Sequence, residues 1–244
     1  MNYVGGKTKY GKKIWLAIKA DMEKRFGFIP ASTCFVDIMC GGCNVIKYVT
    51  LKNRIANDLN PYIVAFMSKI VESIEWLYTE NFLDKDMYNY IKKNIHKFSK
   101  HYVGYIGYNF SKNSIFFGGF KGRDKNYAKT TYNSARRDSK LLQGVQFYNK
   151  DYREVKLPPH SIIYCDIPYK NTIGYDVGPF DYVAFFEWVE KMTREGHYVY
   201  ISEYNKGEYM PVFCEEILRF DRQSLMSNMV IARAKKQGKK MLVA

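Results

Sequence analysis

Cys34-Phe35-Val36-Asp37-Ile38, Met39-Cys40-Gly41-Gly42-Cys43-Asn44 and, ten residues on, Arg54-Ile55-Ala56-Asn57-Asp58 are the segments on which the fold turns. The first is short, apolar and β-branched, which predicts a buried strand. The second is a glycine-bearing loop, and the residues after it, about 45–51, predict a helix. The third is a second strand running into polar residues, and Asn60-Pro61 then opens a long helix with proline at a position the first turn tolerates. Strand, loop, helix and strand in so short a span make a βαβ unit, which implies a parallel sheet.

Working outward, Ile14, Trp15, Ile18, Met22 and Phe26 recur at helical spacing over 12–26. A second helical stretch is expected at about 84–99, followed by an aromatic and basic segment, 100–140, without a clean period. Strands are expected at 144–148, 161–166 and 197–202, with a helix near 181–195, and the residues from about 215 alternate as antiparallel strands do. The fold class is therefore α/β. Residues 1–69 and 144–244 make a sheet domain with helices on both faces, interrupted by a mainly helical insertion at 70–143.

The chain has 244 residues, 47% hydrophobic and 25% charged, enough to bury a full core. It contains no apolar run long enough to span a bilayer, and its first residues lack the apolar core of a secretory signal, so a cytoplasmic protein is expected. Five cysteines, an odd number, predict reduced thiols. The net charge of +14 calls for a polyanionic partner. Residues 112–140 hold eight Lys/Arg against two Asp, among them Lys121, Arg123, Lys125, Arg136 and Arg137. Tyr102, Tyr105, Tyr108, Phe110, Phe116 and Tyr127 interleave with them. Basic residues threaded with planar rings suit a surface that follows a nucleic-acid backbone and stacks on bases, although such rings also make ordinary core.

Three strands carry an acid at or near the carboxyl edge, where α/β sheets place ligand sites: Asp37, Asp58 and Asp166. The acid closing the second strand stands where a ribose diol would bind, and the Gly41-Gly42 loop admits a close ligand. Asp166-Ile167-Pro168-Tyr169 is the most specific string. A carboxylate and the Ile167 carbonyl could accept both hydrogens of an exocyclic amine, Pro168 fixes where that carbonyl points, and the Tyr169 ring could stack on a base.

These strings together resemble the Dam-like, alpha-group DNA adenine-N6 methyltransferases, which use S-adenosylmethionine (AdoMet). Tyr3-Val4-Gly5-Gly6-Lys7 is similar to the family's opening string, Asp37 to Cys43 to its cofactor loop, Asp58-Leu59-Asn60 to its Asp-x-Asn, Gly107-Tyr108-Asn109 to a Gly-Tyr-Asn in its recognition insertion, and Asp166 to Tyr169 to its catalytic Asp-Pro-Pro-Tyr. The resemblance implies a Rossmann-like AdoMet-dependent sheet and methyl transfer to adenine N6 after base flipping, by direct in-line attack. It further implies AdoMet contacts from Tyr3, Lys7, Asp37, Gly41, Asp58 and Asp166, and DNA contacts from Tyr108, Asn109 and the five basic residues of the insertion. The implied partners are AdoMet and double-stranded DNA, with no metal, and a monomer in a bacterial or phage setting is expected. Ile167 stands where the family has proline and Cys43 where it has glycine. The strings beside Gly-Tyr-Asn in GATC-reading relatives are missing, so no target sequence follows.

Competing readings explain less. Cys40-x-x-Cys43 could be a redox pair, but that leaves Asp166–Tyr169 and the basic insertion without a role. The principal rival is a non-catalytic nucleic-acid-binding protein on a degenerate methyltransferase fold, against which the intact Asp166, Pro168 and Tyr169 speak.

Overall fold

The computed structural model describes residues 6–168, 180–204, 214–220 and 229–235. Among them the chain runs α1 (Gly11–Phe26), β1 (Cys34–Asp37), β2 (Asn53–Asn57), α2 (Pro61–Glu72), α3 (Lys85–Lys93), α4 (Lys100–Asn109), α5 (Tyr127–Leu141), β3 (Val145–Tyr148), β4 (Ile162–Asp166), α6 (Tyr182–Arg194), β5 (Tyr198–Tyr204), β6 (Cys214–Phe220) and β7 (Met229–Ala234). The seven strands form one sheet in the order β3-β2-β1-β4-β5-β7-β6. β1 to β5 pair parallel, and β7 lies antiparallel between β5 and β6. The chain leaves β1 toward β2 on one side and returns to β4 on the other. The crevice above β1 and β4 is thus the topological switch point, where such sheets bind ligands.

Every residue of β1 is buried, as a strand covered on both faces requires. Phe35, Ala56, Tyr164 and Tyr200 face a core shared with α1, α2, α4 and α5. Val36, Ile163, Cys165 and Ile201 face a second core shared with α6. Among the described residues no helix is long and apolar enough to cross a membrane, and all five cysteines are free.

Three elements differ from the sequence expectation. The helix expected at about 84–99 ends at Lys93, where Asn94 leaves helical backbone, and a separate 3-10 turn, Ile95–Lys97, follows. The helix expected over 45–51 is a single 3-10 turn, Ile46–Tyr48. Val45, Ile46 and Val49 are β-branched, and all three are buried together with Lys47, so no solvent face remains for an amphipathic helix. The segment without a clean period, 100–140, contains two helices, α4 and α5. Val103, Tyr105, Ile106 and Tyr108 of α4 are all buried, and a helix enclosed on several sides shows no stripe.

Lys47 points inward. Its ammonium bonds Asn44 Oδ1 at 3.0 Å and Asp138 Oδ1 of α5 at 3.2 Å, with both charged side chains at most 1% exposed. This pair ties the β1–β2 crossover to α5. Lys47→Met takes a buried counter-charge from Asp138, which Arg137 Nε at 3.4 Å also meets, and is expected to cost about 3 kcal/mol in urea denaturation, whereas Lys47→Met with Asp138→Leu recovers most of that. Equal losses in the single and double variants would show that packing, not charge pairing, holds this junction.

Candidate active site

The parallel register brings the three acids to one edge. Asp37 ends β1, Asp58 follows β2 directly, and Asp166 ends β4. Asp58 Oδ2 accepts the Gly41 N–H at 2.8 Å and Oδ1 accepts the Asn60 N–H at 2.9 Å. One carboxylate thus fixes both the glycine loop after β1 and the start of α2. Asn60 caps that helix, its Oδ1 accepting from Tyr62 and Ile63 N–H, which is why Pro61 follows it at the first helical position. The loop is also held from the far side. A Cβ on Gly11, at the start of α1, would stand 1.8 Å from the Asn44 carbonyl oxygen, so only glycine allows that approach.

Cys43 occupies the left-handed region at φ 55°, the conformation that a glycine adopts without cost. Cys40 and Cys43 are both buried, and a hydrogen bond with Cys43, and burial, push the Cys40 thiol above its ordinary value, which speaks against an accessible exchange-active thiolate in this loop.

Lys7 meets Asp166 across the chain. Its ammonium, 1% exposed, lies 2.5 Å from Oδ1 and 2.7 Å from Oδ2, and the carboxylate remains 20% exposed. Ser202 Oγ of β5 donates to Asp166 Oδ1 at 2.8 Å, and the Tyr164 hydroxyl donates to Ser202 Oγ at 3.1 Å. Ile167 is buried, and the Pro168 carbonyl accepts the Tyr182 hydroxyl at 2.7 Å. Tyr3 and Tyr169 lie outside the described residues.

Burial, and then the charge on Asp166, raise the Asp37 carboxyl well above the carboxylate range, while the Ile46 N–H and the Lys7 charge work against the rise. Asp37 Oδ1 is buried with no hydrogen-bond partner among the described residues. Burial likewise raises Asp58, against its backbone hydrogen bonds.

The structure separates the residues expected at DNA. Tyr108 and Asn109 are interior: the Tyr108 hydroxyl accepts Asn60 Nδ2 at 2.9 Å, and Asn109 Nδ2 donates to the Tyr105 carbonyl at 2.9 Å. A Cβ on Gly107 would meet the Phe116 ring at 2.4 Å, so any side chain there would have to displace that ring. Lys121 is half-buried, bonded to the Asn109 carbonyl at 3.2 Å and 4.9 Å above the Tyr127 ring. Arg123 is exposed and bonds the Leu83 carbonyl through Nε, and Lys125, Arg136 and Arg137 are exposed as well.

Sequence reasoning missed Asn57, Tyr164, Tyr182 and Ser202. Asn57 Nδ2 donates to the Ile38 and Lys150 carbonyls, and its Oδ1 accepts the Lys150 N–H, which laces β1, β2 and β3 at the ligand edge. A buried asparagine closing an apolar strand was the one signal available for it; the others act across strands, where spacing carries nothing.

By sequence, the family described as MethyltransfD12, D12 class N6 adenine-specific DNA methyltransferase, matches residues 3–223. No protein of curated function matches the chain. Among solved structures, a candidate methylase of Haemophilus influenzae is similar at 9% identity and a TM-score of 0.37, covering 93% of this chain and 99% of that one, a likeness too slight to carry an argument.

Asp37 yields a stability prediction. With its folded pKa raised, its contribution is fully present below about pH 3.9, the unfolded value, and is lost as pH rises toward the raised folded value. At neutral pH the residue is a liability. Asp37→Asn is therefore expected to raise the urea midpoint at pH 7.5 and to change it little near pH 3.5. A lower midpoint at pH 7.5 would mean that Asp37 is held ionised.

Proposed function

We infer the following chemistry from the premise that this chain belongs to the D12 class of N6 adenine-specific DNA methyltransferases. The donor is AdoMet, the target adenine is flipped from the duplex, and N6 attacks the methyl group in line. The order of motifs supports the Dam-like, alpha-group arrangement within the class. The observation that carries the mechanism is the Asp166 carboxylate at the carboxyl edge of β4, aimed by Lys7 and Ser202.

The edge fits AdoMet, which is cationic at sulfur and at its amino group. Asp37 Oδ1 is a buried acceptor with no partner among the described residues, suited to an ammonium donor. Asp58 holds the Gly41 loop in place beside it. With Tyr3, Lys7 and Asp166 in their family positions, these residues would hold AdoMet, which supplies an electrophilic methyl group.

What the chain supplies is orientation and charge. Adenine N6 is a poor nucleophile because its lone pair is delocalised into the ring. Asp166 and the Ile167 carbonyl accept its two hydrogens, favour the pyramidal nitrogen and stabilise the positive charge that grows there. With AdoMet bound, transfer would form the N6–carbon bond as the sulfur–carbon bond breaks, leaving a neutral thioether, and the proton lost from N6 would pass to solvent. Tyr169 stacks on the flipped base, and positioning accounts for much of the remaining acceleration. Residues 70–143 act as the recognition region, with Arg123, Lys125, Arg136 and Arg137 among its exposed cations.

The test is tritiated-methyl transfer from AdoMet to DNA under single-turnover conditions, with the product nucleoside identified. N6-methyladenine is expected, and Asp166→Ala should lower the rate about 10²–10³-fold even at saturating AdoMet. A methylated cytosine carbon, or full rate without Asp166, would refute the mechanism. For the recognition region, Arg136→Gln and Arg137→Gln should each reduce the salt slope of DNA binding by about one unit if the side chain meets a phosphate. Unchanged slopes in both would remove α5 from the interface.

A further inference from the structure

The geometry points to Ser202 and Tyr164 as positioning residues that aim the reactive carboxylate. The inference rests on the reading of Asp166 as acceptor for the target amine. Asp166 and Ser202 are register partners across β4 and β5, so their side chains leave the sheet on one face. Tyr164, two residues before Asp166 on the same strand, points the same way. The result is a directed chain: the Tyr164 hydroxyl donates to Ser202 Oγ at 3.1 Å, and Ser202 Oγ donates to Asp166 Oδ1 at 2.8 Å.

The direction matters. A serine hydroxyl has one proton and can rotate, so alone it could equally accept. The phenolic proton delivered by Tyr164 engages a lone pair of Oγ and leaves the serine proton to point at Asp166. Burial, and then the charge of Asp166, hold the Tyr164 hydroxyl far above its ordinary value, so it remains a donor. Ser202 is 0% and Tyr164 1% exposed, so no solvent can replace either donor, and each bond in such a chain polarises the next.

Lys7 cannot do this work alone. Its ammonium touches both carboxylate oxygens from the end of a flexible four-carbon stem, and a point charge so placed fixes distance better than rotation. Ser202, on a rigid neighbouring strand, engages one oxygen only and so sets the plane of the carboxylate.

The test is a kinetic cycle. Ser202→Ala should lower the single-turnover rate about 10- to 100-fold at saturating AdoMet and DNA, the scale of one hydrogen bond to a charged group. Because Asp166 also stands among the residues that would hold AdoMet, the rates are compared at saturating AdoMet, with affinity measured by calorimetry, so that the loss read is in chemistry and not in ground-state binding. Ser202→Cys, similar in shape but a weaker donor, should fall between. Tyr164→Phe keeps the buried ring and should cost a few-fold, which preserves the test if Ser202→Ala does not fold. In an Asp166→Asn background, Ser202→Ala should cost little further, because the group it aims no longer carries charge. Additive losses in that background would assign Ser202 a purely structural role and overturn the inference, as would a wild-type rate in Ser202→Ala. A wild-type protein that methylates no adenine would instead overturn the functional reading itself.

Discussion

The buried ammonium of Lys7 is what allows this sheet edge to exist as it does. Parallel pairing of β1 with β2 and β4 leaves Asp37, Asp58 and Asp166 close enough for each to feel another's charge. Carboxylates gathered in a partly dry crevice repel one another and lose hydration. The chain answers in three ways. Lys7 neutralises Asp166 directly, two backbone N–H groups satisfy Asp58, and Asp37 is left with a raised proton affinity. Three like groups thus occupy three electrostatic conditions, and only Asp166 combines partial exposure with two side-chain donors of opposite or neutral charge. An edge of this kind suits a cationic methyl donor and an amine that becomes positive as it reacts.

The helical segment before β3 is fastened to that edge by polar contacts as much as by packing. Asn60 caps α2 and donates to Tyr108 in α4, so residues of two separate motifs meet in one hydrogen bond. Asp138 in α5 receives Lys47 from the β1–β2 crossover, whose neighbour Asn44 the same ammonium holds. Any shift of α4 or α5 therefore strains groups within a few residues of the acids. This gives Tyr108 a physical role in joining α4 to the start of α2.

Rings and charges in the basic segment divide by environment. Tyr105, Phe110 and Phe117 pack with Phe66, Phe82 and Tyr88 into an aromatic interior, while Lys125, Arg136 and Arg137 face outward. The interleaving seen along the sequence is the alternation of inside and outside on short helices and turns. Planar rings of the interior stiffen the support, and the surface charge above it is of the sign a phosphate backbone demands.

The sequence by itself determined the parallel pairing of β1 and β2, though not the helix expected between them, together with the three acids at strand ends, the Asn60-Pro61 helix start and the motif order that marks the family. Each of these is written in neighbouring residues: strand length, a cap followed by proline, a glycine loop between apolar runs. Only the tertiary structure decided that residues 45–51 form one 3-10 turn, that Tyr108 and Asn109 lie inside, and that Lys7, Ser202 and Tyr164 converge on Asp166. The physical reason is distance along the chain. Lys7 and Asp166 are 159 positions apart and Ser202 lies 36 beyond Asp166, so their meeting depends on strand order and register, which local periodicity does not encode. The all-round burial of α4 erased the stripe by which a helix is read, and Lys47 was drawn inward by a partner 91 residues away.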